Sequence, residues 1–312
     1  MTFLRRDEAL FLLFWSSGYI GAKLAVPLAG TFTLLFWRYA LVIVVVGLIV
    51  TWRDEWRRPN AGTFLTGFWA HFVWLIAILK ALEFGIGAGA AALIAAMQPA
   101  FTALLAPLFL NERNSILQWV GVGVGFAGVV IFIGADSGAS GAALWVYALP
   151  VLATASLTFV TLWERRRASI KLEIAANTSS PSEPDMPIFT SLFWQGALTV
   201  LLLLPLAQQF ENFAADWRIE LFLGVIWLAV IASVGAYGLM FHLIRTRAAT
   251  RVSALQYFVP PVTMLIAWFV FGEGLTLNGL AGLLFTSAGF WLMTHGDNIK
   301  PVDSATSLSA TF

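Results

Sequence analysis

Seven stretches of this chain contain no Asp, Glu, Lys or Arg, and each is long enough to cross a bilayer: Phe84–Asn111, Asn114–Ala135, Ser137–Trp163, Met186–Phe210, Leu221–Ile244, Val252–Gly272 and Gly274–Gly296. A spanning helix needs about 20 predominantly apolar residues. An eighth stretch, Pro59–Leu79, is interrupted only by His71. Charged residues make up 11% of the chain and mean hydropathy is +0.83, whereas a soluble domain wets its surface with about 25% charged residues. Lipid must therefore replace water over much of the surface. Ala9–Trp52 holds only Lys23 and Arg38 and carries a turn signal at Pro27-Leu28-Ala29-Gly30, so it reads as two further helices. The expectation is an all-α integral membrane protein of ten transmembrane helices.

The positions of the cations set the orientation. With the N-terminus in the cytoplasm and the loops alternating, the inner side receives Arg5, Arg6, Arg53, Arg57, Arg58, Arg113, Arg165, Arg166, Arg167, Lys171, Arg245, Arg247, Arg251 and Lys300, most of the 18 basic residues. The outer side receives Lys80 and Arg218. A different helix count would scramble this asymmetry, so the reading is a multi-pass protein of the cell (inner) membrane with both termini cytoplasmic. Arg5 and Arg6 before an apolar run imitate a signal peptide, but a second apolar run follows at once, so cleavage is not expected. Glu164–Pro187 is polar and ends rich in Ser and Pro. It reads as a cytoplasmic linker (164–187) between helices six and seven, and the tail 297–312 as disordered.

An internal repeat divides the chain. A shift of 161 residues places Pro99 on Pro260, Glu112 on Glu273, Gly121 on Gly282 and Gly128 on Gly289, without a gap. A shift of 157 places Phe36-Trp37-x-x-Ala40 on Phe193-Trp194-x-x-Ala197. Two repeats of five helices, 1–136 and 137–296, follow. Because five is odd, the second enters the membrane from the opposite side, and inverted repeats of this kind are a transporter architecture with the substrate site between the halves.

The doubled run Pro99…Leu110-Asn111-Glu112-Arg113…Gly121…Gly128 and Pro260…Phe271-Gly272-Glu273…Gly282…Gly289, with Trp15-Ser16-Ser17 and Lys23 in helix one and Arg38 in helix two, resembles the ten-helix EamA-type branch of the drug/metabolite transporter superfamily. The resemblance covers about residues 8–295. It implies a central cavity formed chiefly by helices 1, 3, 4, 6, 8 and 9. Among the members, the chain looks most like bacterial exporters of aromatic amino acids.

Candidate residues follow from polarity inside the spans, where it is costly and often functional. His71 shares a helix face with Trp74 and Ile78; it either hydrogen-bonds a substrate or is satisfied by a neighbouring helix. Pro99 removes a helix hydrogen bond and disfavours helical geometry at Gln98, and Pro260-Pro261 does the same near Tyr257. These prolines are expected to act as hinges, while Gly85 and Gly89 are expected to serve packing. Trp15, Ser17, His71, Trp74, Ile78, Gln98, Trp163 and Tyr257 are the expected cavity residues. Lys23 and Arg38 approach the outer face; they either snorkel to water or attract a substrate carboxylate. Glu112 and Glu273 precede helices five and ten and are expected to favour those helices' N-terminal dipoles.

Several functions lack their residues. The chain has no Cys, which excludes disulfides, Cys-bound zinc and thiol nucleophiles. No phosphate loop, zinc-protease motif or serine triad occurs, so no enzyme, metal, cofactor or nucleic-acid partner is expected. No acid sits inside a predicted span apart from Glu83 at a loop, which argues against a dedicated proton carrier. The expected function is export of small, partly apolar solutes, most specifically aromatic or hydrophobic amino acids, by alternating access and facilitated diffusion. The expected assembly is a monomer or weak dimer in the lipid bilayer. A carrier of a nucleobase or sugar derivative is the alternative; a channel or an intramembrane enzyme stands further off.

Overall fold

The computed structural model describes residues 5–110, 115–177, 186–246, 255, 258–274 and 276–295. Glu112, Tyr257 and the tail 297–312 lie outside the described residues. Among the described residues ten helical units run along the chain and there is no strand. They are α1 (Arg6–Ala29), α2 (Thr31–Arg53), α3 (Ala61–Glu83), α4 (Ala88–Ala95 and Gln98–Leu110), α5 (Ile116–Ser140), α6 (a 3-10 turn at Leu144–Tyr147, then Ala148–Asn177), α7 (Ile188–Glu211), α8 (Ile219–Thr246), α9 (Val259–Phe271) and α10 (Leu277–His295). The first eight are long and apolar enough to cross a membrane; α9 and α10 are shorter apolar helices. This is a multi-pass membrane fold.

Local chemistry explains the joints. The turn expected at Pro27–Gly30 narrows to one residue, because α1 runs through Pro27 to Ala29 and α2 restarts at Thr31. Gly30 sits at φ +66°, and a Cβ there would lie 2.6 Å from the carboxylate carbon of Glu211, so only glycine fits. The α6 helix passes the expected linker boundary at Glu164 and continues to Asn177. The residues Glu164-Arg165-Arg166-Arg167-Ala168 are strong helix formers, and Thr66 of α3 donates to Glu164, so the polar segment begins as helix.

Three π-helical stretches interrupt the regular ladder: Phe68–Val73 in α3, Ala207–Glu211 at the end of α7 and Trp227–Gly235 in α8. The 161-residue shift carries the first onto the third. Such bulges redirect side chains and are frequent at functional sites. In α4 the break falls at Ala96–Met97, and the chain resumes helix at Gln98 with Pro99 in its first turn. In α9 the helix likewise begins with Pro260 and Pro261 in its first turn. A proline is well placed there because its missing N–H is one the helix end leaves unpaired.

Packing pairs the helices across the chain: α5 with α10, α2 with α7, α3 and α4 with α6, and α1 with α8 and α9. Small residues allow the close approaches, as membrane helices require when lipid gives no hydrophobic drive between them. Gly196 of α7 receives Tyr39 and Ile43 of α2, and Gly89 of α4 receives Met264 of α9. The helices α1, α2, α3 and α8 enclose the polar centre.

Candidate functional site

A small central cavity is lined by Trp15, Gly18, Tyr19 and Ala22 of α1, Arg38 and Tyr39 of α2, Trp74, Leu75, Ile78 and Leu79 of α3, and Ala232 and Tyr237 of α8. Its volume is about 40 Å³, room for roughly two or three waters. A solute of amino-acid size requires the helices to move apart. The walls are aromatic: Trp15 meets Tyr237 edge-on at 5.5 Å, and three of the chain's five tyrosines line the cavity.

Among the described residues Arg38 is the one charged residue lining this cavity. It is 6% exposed, so it does not snorkel to water. Its Nε and Nη2 both donate to the hydroxyl of Ser233, at 3.1 and 3.0 Å. Ser233 in turn donates to the carbonyl of Leu228, five residues back in the π-helical stretch, which turns its lone pairs toward the guanidinium. Among the described residues no carboxylate pairs with Arg38. The indole N–H of Trp74 is also buried and has no acceptor among them. A buried charge without a counter-ion costs about several kcal/mol, and here a guanidinium and an indole N–H, neither paired with an acid among the described residues, stand in the wall of one aromatic pocket.

His71 stands behind this wall and does not line it. Its Nδ1 meets the Tyr39 hydroxyl at 2.7 Å and its Nε2 meets Gln195 Oε1 of α7 at 2.9 Å. The imidazole is thus satisfied by α2 and α7, the second of the two readings its position allowed. Gln195 donates its own N–H to Ser191, which fixes the amide with its oxygen toward His71. The two polar pairs, Arg38–Ser233 and Gln195–His71, occupy matching places in the repeats: a shift of 157 carries Arg38 onto Gln195, and both partners lie in the π-helical stretches.

Of the other expected cavity residues, Trp15, Trp74 and Ile78 line the cavity and three do not. Ser17 points to another face of α1, donating to the carbonyl of Phe14 and accepting from Trp227 Nε1. Gln98 donates to Thr161 of α6 at 3.0 Å; the amide is spent on helix packing. Trp163 stacks on Phe159, which also meets Trp69 and Phe109. One helical turn separates an inward from an outward face, and a span that is apolar all round gives no sign of which face is inward. Tyr19, Tyr39, Tyr237 and Ser233 were not singled out, although Trp15, Tyr19 and Ala22 form a helical stripe (i, i+4, i+7) that marks the inward face of α1.

A second, more polar cavity of about 300 Å³ lies at the end of the bundle opposite the N-terminus, with Lys23, Asp136 and Glu273 among its lining residues. The two cavities adjoin at α1, where Ala22 lines one and Lys23 the other. Lys23 forms an ion pair with Glu273 and donates to the carbonyl of Ile86 at 3.3 Å. Glu273 also accepts from the N–H of Ala88 at 3.1 Å. The helix end it satisfies is therefore that of α4, not of α10, which it precedes in sequence. Asp136, one turn from the end of α5, accepts from the Tyr147 hydroxyl and from Gly87 N–H. Glu211 does the same for α2, accepting from Phe32 and Thr33 at 3.1 and 2.7 Å while Lys80 approaches it at 3.6 Å. Carboxylates at helix N-termini answer both the unpaired amides and the dipole, and these bind distant helices together. No group of His, Asp or Glu among the described residues has a metal-site arrangement.

Comparison with known proteins follows this geometry. A model of the EamA-like transporter family matches residues 9–134 and again 179–295. An uncharacterized transporter of Archaeoglobus fulgidus is 21% identical over 293 residues, covering 92% of this chain and 97% of that protein. A probable amino-acid metabolite efflux pump of Escherichia coli is 24% identical over 299 residues, covering 94% and 96%. A protein of the same description from Salmonella typhimurium is 24% identical over 226 residues, covering 70% and 72%. One solved crystal structure superposes with a TM-score of 0.62 at 18% identity, covering 93% of this chain and 95% of that one; it shares the fold.

Proposed function

The chain belongs to the EamA-like transporter family, and on that premise we propose that this membrane transporter exports small zwitterions with an apolar side chain, aromatic or hydrophobic amino acids, bound by their carboxylate at Arg38. The observation that carries the reading is a buried guanidinium, bonded to a serine hydroxyl and to no acid among the described residues, in a cavity walled by Trp15, Tyr19, Tyr39, Trp74 and Tyr237. A carboxylate accepts from Arg in a charge-assisted bond, and an aromatic side chain gains about 0.5–1.5 kcal/mol for each ring it meets. The amino-acid metabolite efflux pumps among the relatives support the same class.

Transport proceeds by alternating access. The cavity is too small for its solute as it stands, so α1, α2, α3 and α8 separate to admit it. The break before Pro99 in α4 and the proline-led first turn of α9 supply hinge points, and the Lys23–Glu273 pair with the Asp136–Gly87 bond holds the far end shut until the cavity opens there. The halves 1–136 and 137–296 exchange roles as an inverted pair, both termini facing the cytoplasm; a reporter fused at Asp297 that reads out periplasmic would reverse this topology.

The test is uptake into proteoliposomes over a panel of amino acids, nucleobases and sugars. Saturable uptake and counterflow of Phe, Tyr, Trp or Leu, with Arg38→Gln weakening binding about tenfold or more for the loss of a charge-assisted bond, supports the reading. Saturable uptake of a nucleobase, unaffected by Arg38→Gln, replaces it.

A further inference from the structure

We infer that Tyr39, positioned by His71, recognises the ammonium group of the solute and so makes the cavity selective for amino acids over simple carboxylates; this rests on Arg38 binding the carboxylate. Behind the cavity wall a hydrogen-bond chain runs from Ser191 through Gln195 and His71 to Tyr39. Gln195 donates its amide N–H to Ser191 Oγ and therefore presents its carbonyl oxygen to His71 Nε2. A carbonyl oxygen only accepts, so Nε2 carries a proton, and in the neutral ring Nδ1 is then the acceptor. The Tyr39 hydroxyl at 2.7 Å accordingly donates to Nδ1. Its one proton is committed there.

The consequence appears at the cavity. Tyr39 lines it beside Arg38, whose guanidinium already lies over the Tyr39 ring at 5.9 Å, so with its proton committed the acceptor Tyr39 offers the solute is its hydroxyl oxygen. Arg38 and Trp74 offer only donors. Among the described residues no Asp or Glu lines the cavity, so an ammonium group must be met by a neutral acceptor such as the Tyr39 oxygen. A donor and an acceptor side by side, Arg38 and the Tyr39 oxygen, match the carboxylate and ammonium that an α-amino acid carries on one carbon. A carboxylate lacking the amine would leave the Tyr39 side unmatched. His71 is a positioning residue: the chain Tyr39–His71–Gln195–Ser191 spans α2, α3 and α7, and Tyr39, His71 and Gln195 are at least nine-tenths buried.

The probes are L-phenylalanine, 3-phenylpropionate and L-phenylalaninamide, competing for radiolabelled phenylalanine in proteoliposomes. Wild-type protein should prefer phenylalanine to 3-phenylpropionate by about tenfold or more, the scale of one hydrogen bond to a charged group. Tyr39→Phe and His71→Leu should each bring that ratio toward one, His71→Leu because the freed hydroxyl can then donate to an anion. The preference for phenylalanine over phenylalaninamide reports Arg38 and should survive both substitutions. A wild-type ratio near one between phenylalanine and 3-phenylpropionate overturns the inference without reference to any variant, as does a ratio unchanged in Tyr39→Phe and His71→Leu. Equal binding of phenylalanine and its amide, or binding of none of the three, overturns the carboxylate reading instead and the inference with it.

Discussion

Gly121 and Gly289 face each other across α5 and α10 so closely that a Cβ on Gly121 would lie 2.5 Å from the carbonyl oxygen of Gly289, and a Cβ on Gly289 would lie 2.6 Å from that of Gly121. Gly128 and Gly282 repeat the relation, at 2.6 and 2.7 Å. The 161-residue shift turns one pair into the other, since Gly121 maps to Gly282 and Gly128 to Gly289. This is what a two-fold exchange of the halves would leave where α5 meets α10. Backbone contact at two points makes this seam intolerant of side chains. Gly289→Ala or Gly128→Ala should cost about 1–3 kcal/mol, as overpacking does, read as a lower thermal midpoint in detergent. Gly123→Ala and Gly134→Ala, which meet nothing within 4 Å, should leave the midpoint unchanged or slightly raised. Equal effects at all four positions would mean the seam is not close-packed.

Pro99 stands in the first turn where α4 restarts, and Pro260 in the first turn of α9. Replacing both by Ala lets α4 run on through its break and frees the start of α9 from the fixed proline φ, altering the points about which the cavity changes sides. Turnover should fall about tenfold, a barrier change of about 1.4 kcal/mol, while the solute's Kd moves much less. A double variant with wild-type turnover would reduce these prolines to packing features.

The Lys23–Glu273 pair should control opening at the far end. The chain has no Cys, so Ala22→Cys provides a single thiol in the central cavity. Its labelling by a membrane-impermeant maleimide from that side should rise about two- to fivefold in Lys23→Met, the worth of a partly exposed ion pair. Glu273→Gln should perturb less than Glu273→Ala, because the amide oxygen still accepts from Ala88 N–H. Labelling that does not respond would show that the pair does not gate.

Coupling is the sharpest mechanistic test. The described acids sit at helix ends, in loops or, like Glu164, at or beyond the polar end of the apolar span Leu144–Arg167 of α6, and Asp136 lies one turn from its helix end. His71 has both nitrogens engaged, which leaves the centre of the bundle without a free proton carrier. Liposomes with an imposed pH gradient should therefore reach equal solute concentrations on the two sides. Proton-driven accumulation that survives His71→Leu but is lost in Asp136→Asn would place coupling in the far-end cavity.

Charge-free windows, the basic-residue asymmetry and the doubled Pro…Glu…Gly pattern were enough to read ten helices and a family, because the bilayer allows few backbone solutions and a missing charge is visible at any position. The joint at Gly30 and the interruption of α4 next to Pro99 were legible for a similar reason: Gly and Pro act on the backbone locally. The site was only half legible. Trp15, Trp74 and Ile78 line the central cavity, while Ser17, Gln98 and Trp163 turn to other partners. Arg38 proved to face inward, and Glu273 was found to serve α4 across the bundle rather than its neighbour in sequence. Each of these depends on which helix lies opposite which face. A helix apolar on all sides carries no stripe to say so; only the packing of α1, α2, α3 and α8 into one bundle decides which polar atoms meet each other and which are left facing the solute.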